Sequence, residues 1–255
     1  GDGDTGITLA ENTTITSGTA AINIGGTIAG NNKTLILNST GLTTLSGDLT
    51  ALTTLLTDAG GGTKLAAGVD ITTTGTMTFN DELTLVGASI LDADDDIITL
   101  KAVTGGAGTE NLTVNSGTAR TEFDGIVSAI ETLTIQDSGG VTFDAAVTTN
   151  TAVILTDTAD NANIIFAGAL TTATLTTQAQ QYDLFLNGGG TIGAATLINT
   201  GTLQIGTGTV TTTFNTAISA TSQSAITLAG TVATTNDIIT LGDGDTGITL
   251  AENTT

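Results

Sequence analysis

Residues Thr121–Ile135 read TEFDGIVSAIETLTI, and residues Gly139–Thr149 read GGVTFDAAVTT. Each contains one five-residue unit, FDGIV from Phe123 and FDAAV from Phe143: an apolar residue, any residue, a small one, any residue, then Val. The unit returns, with Ile or Leu also closing it, as IGGTI from Ile24, FAGAL from Phe166 and LAGTV from Leu228, and more loosely as FNDEL from Phe79 and FNTAI from Phe214. Two inward apolar side chains flanking a small residue describe a strand that turns a tight corner into the next strand. Between Phe79, Phe123, Phe143, Phe166 and Phe214 the steps are 44, 20, 23 and 48 residues. They lie near multiples of about 22 residues, a length typical of one solenoid coil. The steps from Ile24 to Phe79 and from Phe214 to Leu228 do not fit, so insertions or a change of cross-section are expected there.

Working outward, short runs of Ile, Leu, Val and Thr recur along the whole chain, separated by Gly, Asn, Asp and Ser. Such runs favour strands and turns, and no stretch sustains an apolar face at helical spacing. The expected class is all-β, a right-handed parallel β-helix. Proline is absent, as expected where nearly every strand is central and a missing N–H would leave a ladder bond unmade. A narrow interior explains the 3% aromatic content, and outward Thr would keep the strands β-prone and wet. Tandem β-sandwich domains are the structural alternative, but their cores usually hold Trp or several aromatics, and this chain offers Tyr182 and six Phe. A hydrophobic content of 39% argues against disorder.

A longer repeat overlies the coils. GDGDTGITLAENTT from Gly1 to Thr14 returns letter for letter from Gly242 to Thr255, a period of 241 residues. Residues 1–241 therefore read as one period of a tandem array and 242–255 as the start of the next. At about 22 residues and about 4.8 Å per coil, one period predicts about 11 coils and roughly 50 Å of rod. DIITL, at Asp96–Leu100 and again at Asp237–Leu241, suggests duplication inside the period as well.

In its style of repeat, most of the chain resembles giant bacterial filamentous-haemagglutinin-like surface adhesins. TTTGTMTFNDELTL from Thr72 to Leu85 carries that resemblance together with the two stretches quoted first. It implies a parallel β-helix shaft that projects a binding tip from the cell, with export through an outer-membrane partner. Typical copies repeat Tyr or Phe with N-D-x-V in successive coils, whereas this chain holds that form once, at Phe79–Leu83. The near-identical period points to a shaft segment rather than a tip, so no adhesive residue is carried over.

The charge of −21, from 25 acidic residues against Lys33, Lys64, Lys101 and Arg120, leaves too few cations to neutralise phosphates. Nucleic acid is therefore not expected as a partner, and neither is membrane insertion. Without His or Cys there is no Ser-His or Cys-His nucleophile, no thiolate metal site and no disulfide. Paired carboxylates could in principle cleave polysaccharide, with Asp92, Asp94, Asp95 and Asp96 the densest cluster, but aromatic platforms for sugar rings are missing nearby.

Calcium is the candidate cofactor. Asp2 with Asp4, and Asp243 with Asp245, lie two apart among glycines in GDGDTG, in the style of a short oxygen-ligand loop, and Asp92 with Asp94 forms a similar pair. GGAGTENL from Gly105 approximates a calcium-binding nonapeptide, with Glu110 where Asp is usual. Against these stands the ordinary acidic turn. The Thr-x-Thr pairs, such as Thr14 with Thr16, are too irregularly spaced for an ice-binding lattice. NKT, NLT and NTT triplets are glycan acceptors in form but common in any Asn- and Thr-rich chain.

The expectation is thus a non-enzymatic, extracellular, cell-surface filament or adhesin shaft. Further copies of the repeat would stack end to end, and lateral self-association is a second partner class. A calcium-stabilised sheath, coat or surface layer is the alternative.

Overall fold

The computed structural model describes residues 6–251 and 254–255. Among them there is no helix, and 27 strands join into one continuous parallel sheet wound as a β-solenoid of about 12 turns. One coil shows the plan. Met77–Phe79 lies on a first face, Glu82–Leu85 on a second and Ser89–Asp92 on a third, and Ile98–Leu100 then begins the next coil directly over Met77–Phe79. Burial alternates along these strands, which sends every second side chain inward.

The coils differ slightly in length. Leu184 pairs with Leu203, 19 residues on, and Val141 with Ile164, 23 on. In-register stacking turns the alternating pattern into continuous columns of like side chains. One inward column of the first face runs Phe79, Leu100, Phe123, Phe143, Phe166, Leu186, Ile205, Leu228. Three of its rings stack, with centroids 4.5 Å apart and planes 20° and 10° from parallel for Phe123–Phe143 and Phe143–Phe166. Phe143 is wholly buried between its neighbours.

The five-residue unit does turn corners, but two different ones. FNDEL, FDGIV, FDAAV, FAGAL and LAGTV carry the chain from the first face to the second, whereas IGGTI and FNTAI carry it from the second to the third. This is why the spacing from Ile24 and to Leu228 fails: no insertion is needed, because the motif changes corner. Phe214 is an inward residue of the second face, so its near-fit to the column spacing was coincidental. The small central residue is explained by the coil below. A Cβ on Gly168 would lie 2.2 Å from the carbonyl carbon of Ala145 and 2.4 Å from its oxygen.

Some strands run through a corner unbroken, notably Ile28–Ser39, Val127–Ser138 and Val147–Thr158. In the first, Asn31 and Asn32 take φ of 50° and 57°, a left-handed kink that Asn tolerates better than most residues and that bends the strand without ending it. Threonine is not confined to the outside, contrary to expectation. Thr43, Thr63, Thr121, Thr177 and Thr212 all point inward and are buried. Their hydroxyls are absorbed by internal hydrogen bonds in several places, as where Thr57 and Thr63 donate to Asp81 at 2.7 and 2.9 Å.

Candidate functional site

The outer surface follows directly from the coil plan: each outward column is a ladder of residues about one rung apart. On the third face, Asp92 pairs with Asn115, Asn115 with Asp137 and Asp137 with Asp157, so four coils place Asp, Asn, Asp and Asp in one line. Burial, then the charges of Asp157 and Asp95, push the Asp137 carboxyl above its ordinary value. This ladder is an acidic feature that only the fold assembles, and the sequence reading found only its first member. The signal was present, since QDS at Gln136–Ser138 and TDT at Thr156–Thr158 lie one coil apart.

The expected calcium ligands fall as follows. Asp2 and Asp4 lie outside the described residues. Asp243 uses Oδ1 to accept from the backbone N–H groups of Asp245 and Thr246, both at 3.0 Å, and from the Thr246 hydroxyl at 2.8 Å. The Asp245 N–H first, then the Thr246 hydroxyl, hold the Asp243 carboxyl below its ordinary value. Asp245 is a partner in that turn through its N–H. Asp92 accepts from the N–H of Asp94, which itself sits at φ 54°. Asp95 instead reaches across to the next coil and accepts from the N–H of Thr118 at 3.0 Å. The two described pairs, Asp243 with Asp245 and Asp92 with Asp94, therefore close turns. Among the described residues, no three acidic side chains converge as a metal group would require.

Glu110 behaves similarly. Its carboxylate folds back on its own loop, accepting from the N–H of Ala107 at 2.7 Å and of Thr109 at 2.9 Å. Burial alone would raise its pKa, but the backbone donors outweigh that and leave it lowered. The nonapeptide-like stretch thus caps itself.

The interior is equally occupied. At the turn from the third face back to the first, the Tyr182 hydroxyl accepts from the Gln178 N–H at 3.2 Å and donates to the Leu155 carbonyl at 3.3 Å, and its burial pushes its pKa up to about 12. The Gln223 amide donates to the Leu197 and Asn199 carbonyls at 3.2 and 3.0 Å, extending a polar track through the core. Sequence reasoning missed this track, because Thr177, Asn199 and Gln223 resemble ordinary surface residues.

Two ion pairs occur among the described residues, Lys101 with Asp124 and Arg120 with Glu122, both partly exposed. Most carboxylates are therefore without a cation. One surface depression, open and shallow, is lined by Arg120, Gly139, Thr142, Asn163 and Ile165. Exposed apolar residues such as Leu42, Val86, Ile90 and Ile126 are scattered, whereas Ile238, Ile239, Ile248 and Leu250 gather in the last coil. No helix of the described residues is long and apolar enough to cross a membrane. The described surface offers ladders and an end rung. Comparison with known proteins returns no match to a protein-family model, to a curated protein or to a solved structure.

Proposed function

We propose that this chain is a shaft segment: a non-enzymatic, length-building unit of an extracellular filament or adhesin, extended by further copies stacked end to end. The observation that carries this reading is the letter-for-letter return of Gly1–Thr14 at Gly242–Thr255 on a fold whose first-face ladder runs without a break from Thr13 to Ile248. A solenoid has no natural stopping size, so tandem copies add length with little change in local physics. The filamentous-haemagglutinin-like resemblance supports a cell-surface setting. Immunogold electron microscopy of intact cells, with antibody against this period, tests it. Label recurring along thin projecting fibres at about 50 Å or its multiples is the expected result, and continuous label over the envelope would replace the shaft by a coat.

The Asp92–Asn115–Asp137–Asp157 ladder supports a second reading, a sheath or surface layer whose lateral faces associate through calcium. Light scattering with and without a calcium chelator separates the two. Calcium-dependent bundling favours the sheath, and indifference to calcium the shaft.

A further inference from the structure

Identical sequences do not occupy identical places in this rod. Ile7 pairs with Ile28 on the third face, but its twin Ile248 pairs with Ile226 on the first. The shift can be followed along one unbroken column of pairs: Thr13, Leu35, Leu55, Met77, Ile98, Thr121, Val141, Ile164, Leu184, Leu203, Ile226, Ile248. Eleven turns thus take 248 − 13 = 235 residues, whereas the sequence repeats after 241. The excess of six is the distance from Ile7 to Thr13, the step from one face to the next.

Resting on the shaft reading, we infer that each period holds about eleven and a third turns, so that every copy is rotated by one face relative to the copy before it. In the frame of the coils the rotation is about 120°, and the rod returns to its starting orientation after three periods. Two further observations show that faces can exchange sequences. DIITL lies on the first face at Asp96–Leu100, where Ile98 pairs with Met77. At Asp237–Leu241 it lies on the third, where Ile239 pairs with Ile218. The corner unit likewise serves two corners.

The same register names the partner of the exposed last rung. Leu9, covered by a following coil, is 5% exposed, while its twin Leu250 is 68% exposed. The occupant that fits over Ile248–Leu250 is the Ile28–Gly30 stretch of a following copy, because Ile28 is what covers Ile7. A lateral feature such as the acidic ladder is then presented in three directions by successive periods. It recurs on one side only every third period, about 160 Å along the axis at about 4.8 Å per coil.

The absence of Cys makes this directly testable. A chain of six consecutive periods, each carrying Ile126→Cys at an exposed corner, is labelled with a small gold cluster and imaged by cryo-electron microscopy. A second chain carries Asp160→Cys, so that failure of one substitution leaves the other. Labels are expected on three sides in rotation, with each fourth label over the first. Labels in a single line would mean a whole number of turns and overturn the inference while keeping the shaft. The absence of a rod with regularly spaced labels would overturn both.

Discussion

Replacing Phe143 is the sharpest test of the column as the source of cohesion between coils. Its ring is fully buried and lies 4.5 Å from both Phe123 and Phe166, so Phe143→Ala empties the middle of a three-ring stack. Large-to-small changes of this kind cost about 3–5 kcal/mol. Loss of the two ring contacts adds about 0.5–1.5 kcal/mol each beyond area burial, which puts the alanine variant at the upper end. Phe143→Leu should be milder, about 1.5–2.5 kcal/mol for three carbons lost at about 0.8 kcal/mol each. Leu100 and Leu186 already occupy rungs of this column without exposure. Because neighbour contacts dominate a solenoid, the damage should be local. Hydrogen exchange followed by mass spectrometry is the assay: protection should fall at Thr121–Phe123, Val141–Phe143 and Asn163–Phe166 and stay unchanged at Ile22–Ile24. Uniform loss along the chain, or a leucine variant as damaging as alanine, would refute the column argument.

Three other outcomes follow from the same geometry. The Thr212 hydroxyl is buried with no partner among the described residues, so Thr212→Val should raise stability by about 1 kcal/mol in chemical denaturation. Gly190 sits at φ 122°, where a Cβ would approach the Leu170 carbonyl oxygen to 2.1 Å, so Gly190→Ala should lower the melting temperature and open the adjoining rungs to exchange. Burial raises the pKa of Asp81 above its ordinary value in spite of its bonds to Thr57 and Thr63, and raises that of Asp137 too. A raised folded pKa means the folded chain binds protons more tightly, so stability should increase as pH falls from neutral through those raised values. Glu110 works in the opposite sense, and its contribution is lost as pH falls further through its lowered value. Asp81→Asn should flatten the first limb of a melting-temperature profile and leave the acid limb in place.

The fold was legible in the sequence because its two requirements are local. Inward alternation shows in runs such as Met77–Phe79, and the small corner residue shows in FDGIV and FAGAL. The face on which a given copy falls was not legible, since FNTAI and FDAAV meet the same steric demand at different corners. The acidic ladder needed the registers that bring Asp137 beside Asp157, and a chain whose coils vary between 19 and 24 residues does not announce them. Buried Thr177, Asn199 and Gln223 were hidden for a different reason: a polar side chain satisfied by a carbonyl of a neighbouring coil carries no sequence mark of being inside.

The parallel ladders also decide how the rod would bear load. Its inter-coil hydrogen bonds run along the axis while its strands lie across it, so tension pulls on each junction between coils in series. A junction spanned by long strands, as between Val127–Ser138 and Val147–Thr158, shares the force over a wide seam. The junction at Leu49 and Leu52, interrupted by a bulge where it meets Ile71 and Thr73, offers a narrower one on that face. Strength under traction is then a property of the thinnest seam, and lengthening the array by adding periods would extend its reach without raising the force at which it parts.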